Sequence, residues 1–402
     1  MGIIVSNLLL AVAGFLAILV AVLLVEVLAA TARPRRDEAT PRSTVRPRIA
    51  VLVPAHNESK GLLPTLADVK SQLHPRDRLL VVADNCSDDT AAVARAAGAE
   101  VVERNDPSRR GKGFALDHGI AHLAADPPDV VVMIDADCRV AQGAIGSLAV
   151  ACAASNRPVQ GLDLMTAAAG SPVSTQVAEF AWRVKNWVRP LGLRNLGLPC
   201  LLVGTGMAFP WHLIRSADLA NASLVEDLKL GLELARSGTP PMFCPSARVV
   251  SEFPISAAGA QSQRQRWEQG YITTIAGMAP RLLGQAIARA DLCLLALALD
   301  LLVPPLSLLT LLVVATFVLA ALAALSGLSA AALAVSTASL AGLAAAVALA
   351  WWNWGRDALP ASALLSITPY VLCKLGLYRR ILFGRTTAQW TRTERSLTDN
   401  RR

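Results

Sequence analysis

From Leu301 to Gly355 the chain runs 55 residues without a charged side chain. Few environments accept that, because a continuous apolar stretch needs only about 20 residues to cross a hydrocarbon core as a helix. The run is long enough for two spans. Gly327 and its neighbours offer the turn, which predicts helices at roughly Leu301–Leu325 and Ala330–Trp352. Pro304 and Pro305 then fall in the first turn, where proline is tolerated, and Trp351, Trp352 and Trp354 form an interfacial belt.

A second such segment lies near the N-terminus, where Ile3–Val25 is an unbroken run of 23 uncharged residues. Ala30-Thr31-Ala32 resembles a cleavage site. However, no positive region precedes the run, and it exceeds the roughly 7–15 apolar residues of a signal peptide. It reads as an anchor. Arginines follow it and none precede it, so the N-terminus is predicted outside and residue 33 onward in the cytoplasm, at the inner or plasma membrane. Ala358–Cys373 is uncharged but short and contains Pro360 and Pro369, which predicts an interfacial or re-entrant helix ahead of a basic cytoplasmic tail.

The net charge of +8 is concentrated beside these apolar segments. Arg33–Arg48 has six arginines against Asp37 and Glu38, and Lys374–Arg402 has eight basic residues against Glu394 and Asp399. Such flanks suit anionic lipid head groups. Between them no basic, aromatic-interleaved face of a nucleic-acid binder is visible. The seven cysteines are odd in number and lack metal-ligand spacing, as expected of free thiols in a reducing compartment.

Residues 48–290 have a different texture. Short apolar runs at Ile49–Val53, Leu79–Ala83, Ala99–Val102 and Val130–Ile134 alternate with alanine-rich helical stretches. All-apolar strands separated by helices predict a parallel sheet covered on both faces, with ligands at the carboxyl ends of the strands. Those ends carry Pro54-Ala-His-Asn57-Glu58, Asp84-Asn85 and Asp135-Ala-Asp137. No G-x-G-x-x-G follows the first strand, and Gly111-Lys112 lacks a phosphate-binding loop, so a dinucleotide redox enzyme and a P-loop ATPase are disfavoured. His118 and His122 have helical spacing without an H-E-x-x-H pattern and read as ordinary helix residues. The organisation expected is a membrane helix at 1–32, a basic linker at 33–47, an α/β domain at 48–290, two membrane helices at 291–355, and an interfacial helix with tail at 356–402.

These strand-end motifs resemble, in order, those of the membrane-bound family 2 glycosyltransferases of the GT-A fold, in the branch of polysaccharide synthases and glucosylceramide synthase. Val53-Pro54-Ala-His-Asn57-Glu58 is similar to the opening V-P-x-x-N-E that lines the nucleotide site. Val81–Thr90 is similar to V-V-D-D-G-S-x-D-x-T, whose aspartate, here Asp84, holds the nucleoside. Ala83 and Asn85 stand where the family usually has Asp and Gly, which leaves the base preference open. Gly111-Lys112-Gly113-Phe-Ala-Leu116 resembles the G-K-x-x-A-L beside the donor, and Asp135-Ala-Asp137 the metal-binding D-x-D. A nucleotide diphosphate concentrates negative charge in the leaving group, and a hard cation on one or two carboxylates neutralises it.

By the same resemblance Val225-Glu226-Asp227-Leu228 is the E-D element, with Asp227 as general base and Glu226 in support. Ser223-Leu-Val-Glu226 also reads as a helix capping box. Gln263-Arg-Gln-Arg266-Trp267 matches Q-x-x-R-W, in which arginine offers a planar fork for phosphate and tryptophan a wall for the acceptor sugar. Gly204-Thr-Gly-Met-Ala-Phe209 resembles the small-residue acceptor-side strand, with Pro210 where arginine is common.

The resemblance implies a hexosyltransferase that uses Mg2+ or Mn2+ and a nucleotide sugar, UDP-linked by resemblance, and works by inversion on a lipid-linked or glycan acceptor. Pro54, Asn57, Glu58, Asp84, Asn85, Lys112, Asp135, Gln263, Arg266 and Trp267 would bind the donor, and Asp135 and Asp137 the metal. Roughly three spans are few for enclosing a polar channel, which favours single transfer over polymerisation; an oligomer or an assembly partner would favour the polymerising version. A non-catalytic nucleotide-sugar sensor would be expected to have lost acidic residues that are intact here.

Overall fold

The computed structural model describes residues 2–32, 46–221, 225–254, 257–366, 376 and 378. They form two compact units. One comprises the described residues of 35–168 and 198–274, the other those of 1–34, 169–197 and 275–387.

In chain order α1 (Gly2–Thr31) leads to β1 (Ile49–Ala55), α2 (Leu63–Lys70), β2 (Arg78–Asp84), α3 (Thr90–Ala96) and β3 (Glu100–Arg104). Then follow α4 (Lys112–Leu123), β4 (Val130–Met133), β5 (Arg139–Val140), α5 (Ala144–Ser155) and β6 (Val159–Thr166). Next come α6 (Val173–Arg183) and α7 (Arg189–Asn195), joined by a π-helical turn. They are followed by β7 (Met207–Pro210), α8 (Trp211–Ile214), α9 (Glu226–Arg236) and β8 (Met242–Glu252). The chain continues with α10 (Ala257–Arg289), α11 (Leu292–Leu302), α12 (Leu306–Leu325) and α13 (Ala330–Trp354).

The first unit is built on an eight-stranded sheet of order β3-β2-β1-β4-β7-β6-β8-β5. The four strands read from the sequence are parallel to one another. The expected all-parallel sheet stops there, because β7 runs antiparallel to β4 and β6 antiparallel to β7. Strand β8 lies parallel to β6. The result is a mixed α/β sheet. Alternate residues of β1 feed opposite cores: Ile49, Val51 and Val53 join one, and Ala50 and Leu52 the other. Each fully buried Val or Leu contributes about 1.5–3 kcal/mol, so this strand belongs at the centre of the sheet.

Pro54 does not end β1, contrary to the expectation. Leu52 accepts a backbone bond from Ile134, so Pro54, two residues on, faces the same side past the end of β4, where its missing N–H is not needed.

In the second unit α1, α12 and α13 are long and apolar enough to cross a membrane, and they mark the chain as membrane-associated. Pro304 and Pro305 correct the expected helix start. They lie between α11 and α12, with Pro305 as the N-cap residue of α12, because a proline pair interrupts helical bonding more readily than it joins it. Leu301 accordingly belongs to α11. This unit also holds a buried polar cluster. Arg189 of α7 donates to Glu26 of α1 at 2.8 Å and to both the carboxylate and the carbonyl (2.6 Å) of Asp300 of α11, and all three residues are buried. Of the segment expected to be interfacial, residues 358–366 are described and end in a 3-10 turn at Ala361–Ser366, while residues 367–373 and all of the basic tail but 376 and 378 lie outside the described residues.

Candidate active site

The carboxyl ends of β1, β2 and β4 gather the polar residues singled out above. Asn57 and Asn85 both have positive φ, 54° and 52°, a region asparagine tolerates better than most residues. Asn57 uses it to accept from the Ser87 N–H at 2.7 Å, and Thr90 Oγ1 accepts from the Glu58 N–H at 2.9 Å, so the β1 and β2 loops are fastened together. Asp84 is buried at the end of β2, where its carboxylate receives Arg104 at 2.6 Å and the Asn85 amide at 3.1 Å. Asn85 in turn accepts from the Asp106 N–H at 2.8 Å. Arg104 also lies over the ring of Phe114.

Beyond β4 the chain places Asp135, whose backbone N–H donates to Thr205 Oγ1 at 3.0 Å. Its carboxylate forms a close ion pair with Lys112, the first residue of α4. The same ammonium donates to the Gly204 carbonyl at 2.7 Å and stands 3.9 Å from Glu226 Oε1. Gly204 has φ +101°, and a Cβ there would lie 3.2 Å from the Asp227 carboxylate. Only glycine fits comfortably at this turn. Buried Gln160 supports it, donating to the Thr205 carbonyl and accepting from the Val203 N–H, both at 2.9 Å. Lys112, Asp135, Gly204, Glu226 and Asp227 therefore converge. Asp137 lies two residues past Asp135, with the Cys138 thiol 3.8 Å from its Oδ1.

Helix α9 begins at Glu226, with Val225 as N-cap residue, so Glu226 sits at the first helical position rather than the third. The expected capping box is thus out of register, and Ser223 lies outside the described residues. Both acidic residues sit in the first turn of α9, where the helix dipole favours negative charge.

The electrostatics follow from this crowding. Burial pushes the Glu226 carboxyl up to about 7; the charge of Asp227 adds to that and Lys112 partly opposes it. Burial also works against the Lys112 ammonium, but Asp135 and Glu226, with Asp227 behind them, outweigh it and hold its pKa above the ordinary lysine value. Asp135 and Asp137 offer hard carboxylate oxygens of the kind a divalent cation takes, and among the described residues no group of three or more His, Cys, Asp or Glu could hold a metal by itself. A site with two protein carboxylates leaves the remaining coordination to waters and phosphate oxygens.

Gln263, Arg266 and Trp267 lie on α10, at spacings of three and four that put them on one helix face. Gln263 is buried, and burial lowers the pKa of half-buried Arg266. Sequence reasoning offers no signal for Arg104 or Gln160, and it marks Gly204 and Thr205 only through a resemblance to the acceptor-side strand.

Residues 47–270 match the family described as glycosyltransferase like family 2. The chain belongs to that family. It is 26% identical over 235 residues to the probable glycosyltransferase YdaM of Bacillus subtilis, covering 56% of this chain and 55% of YdaM. Over 100 residues it is 38% identical to an uncharacterised glycosyltransferase of Mycobacterium tuberculosis, covering 25% of this chain and 41% of the relative. The chain thus spans about half the length of the curated relatives it matches. Among solved structures it resembles the mannosyltransferase PcManGT of Pyrobaculum calidifontis, determined with GDP-mannose and Mn2+, at 19% identity and a TM-score of 0.56. That likeness covers 94% of this chain and 100% of the other, and it is a likeness of fold. The fold of the chain is GT-A.

Proposed function

We propose that this glycosyltransferase moves a hexose from a nucleotide-sugar donor, UDP-linked by resemblance, to a lipid-linked or glycan acceptor. Transfer would proceed with inversion, at the cytoplasmic face of the cell membrane, in surface-polysaccharide or glycolipid assembly. The observation that carries the reading is the convergence of Lys112, Asp135, Gly204, Glu226 and Asp227 at the end of β4.

Asp135 and Asp137 would hold a Mg2+ or Mn2+, which would neutralise charge on the diphosphate leaving group. Pro54, Asn57, Glu58, Asp84 and Asn85 line the strand ends assigned to the nucleoside. Lys112 and Arg266 bind the diphosphate oxygens and stabilise their charge as it grows, with Gln263 alongside and Trp267 as the wall for the acceptor sugar. Asp227 takes the proton from the acceptor hydroxyl. That oxygen forms a bond to the anomeric carbon from the face opposite the diphosphate. The bond from the anomeric carbon to the diphosphate breaks, and the nucleoside diphosphate leaves with the electron pair. Asp227 is the member assigned as base by the resemblance of the E-D element.

Three membrane-length helices among the described residues favour transfer of a single sugar over extrusion of a polymer, because a polar channel needs more enclosing wall. The test is donor turnover by the detergent-solubilised full chain with UDP-glucose, UDP-GlcNAc, UDP-galactose and GDP-mannose, with Mn2+ or Mg2+, beside Asp227→Asn. Metal-dependent nucleotide release that the variant loses supports the assignment. Equal release by both proteins removes Asp227 as base. Binding of nucleotide without turnover of any donor or acceptor would return the chain to the sensor reading.

A further inference from the structure

Lys112 stands where a cation is wanted. Its ammonium is ringed by oxygen: the Asp135 carboxylate in close contact, the Gly204 carbonyl at 2.7 Å and Glu226 Oε1 at 3.9 Å. An ammonium donates three hydrogen bonds and accepts none, so an all-oxygen cradle satisfies it. All-oxygen donor sets are also what hard divalent cations select. The side chain and the proposed metal therefore compete for the same carboxylate.

We propose that Lys112 is the resident counter-ion of Asp135, occupying that carboxylate in the donor-free protein and releasing it when a nucleoside diphosphate arrives, so that nucleotide and metal bind cooperatively. This rests on the reading of Asp135 and Asp137 as metal ligands.

The geometry says which part can move. Gly113 packs so closely that a Cβ there would lie 2.4 Å from the Leu219 carbonyl oxygen and 2.7 Å from that of Asn221, which pins the first turn of α4. With the turn closely packed, the exchange falls to the Lys112 side chain, a flexible four-carbon stem carrying a compact charge. A diphosphate has more negative charge to offer an ammonium than one carboxylate does, and it brings oxygens that complete the coordination of the ion left on Asp135. Since coupling between two ligands is reciprocal, the ion must tighten the nucleotide by the same factor as the nucleotide tightens the ion.

The experiment is a Mn2+ titration of the full-length protein in detergent, followed by the EPR signal of free Mn2+, without nucleotide and with saturating UDP or GDP. Lys112→Met and Lys112→Gln are compared with the parent; glutamine keeps an N–H donor for the Gly204 carbonyl and guards against a folding defect. Both variants are expected to bind Mn2+ alone about ten-fold more tightly than the parent, and to lose most of the tightening that nucleotide produces in the parent. Mn2+ affinity in the variants equal to or weaker than the parent's overturns the proposal, as does a parent affinity that nucleotide leaves unchanged. Asp135→Asn separates the two readings. If it abolishes Mn2+ binding while the lysine variants change nothing, only the counter-ion role falls; if Mn2+ binding survives it, the metal assignment itself falls.

Discussion

The carboxylate of Asp84 and the guanidinium of Arg104 meet at 2.6 Å at the carboxyl ends of adjacent parallel strands, with both side chains about nine-tenths buried. The pair ties the end of β2 to that of β3, and Arg104 extends the tie by donating to the Arg109 carbonyl at 2.9 Å. Removing one member of such a pair leaves the other charged and poorly solvated. Arg104→Met is expected to destabilise the sheet unit by about 3 kcal/mol and to weaken nucleotide binding. A thermal melt and a UDP or GDP titration check this; an unchanged melting temperature would show that Asp84 tolerates isolation.

Asp227 is assigned the proton transfer, and its neighbour Glu226 is not. Asp227→Asn is expected to lower kcat about 10²–10⁴-fold, the range for a positioned general base, while nucleotide affinity stays near that of the parent. Steady-state turnover and nucleotide titration are read together, because a parallel loss of both would indicate a binding role.

Glu226 is held protonated up to about pH 7, well above the unfolded carboxylate value. The folded state therefore prefers the proton. Its contribution to stability is fully present below about pH 4.5 and is lost as pH rises through about 7, by at most about 3 kcal/mol. Glu226→Gln should flatten that part of the pH dependence of melting between pH 5 and 8, and a curve identical to the parent's would exclude the assignment.

A side chain at Gly204 would be tight and strained. The φ of +101° there and the 3.2 Å from an added Cβ to the Asp227 carboxylate both oppose Gly204→Ala. Turnover should fall at least ten-fold, with a stability loss of about 1–3 kcal/mol. Retained turnover would indicate that the turn can relax without moving Asp227.

In the helical unit Arg189 is shared by Glu26 and Asp300. Arg189→Met leaves two buried carboxylates facing each other and is expected to cost about 3–5 kcal/mol. Adding Glu26→Gln and Asp300→Asn to that variant should recover much of the loss in thermal melts of the solubilised protein. No recovery would mean that the arginine acts through packing alone.

The apolar runs were legible because their signal is local. Strands β1, β2, β3 and β4 and helices α1, α12 and α13 are dictated by consecutive side chains that must leave water, whatever the rest of the chain does. The strand-end motifs were legible for the same reason, since a polar residue that terminates a buried strand marks the edge of the sheet. Pairings between distant segments were not. Nothing in the sequence orders β7 antiparallel between β4 and β6, because strand direction is settled by how the intervening chain closes over the core. Lys112 finds Asp135, Gly204 and Glu226, and Arg189 finds Glu26 and Asp300, across separations that leave no periodic trace. The types of residue at the site were determined by sequence. Which carboxylate each cation neutralises was decided only by the tertiary structure, since charge pairing acts through space and becomes strong where folding has excluded water.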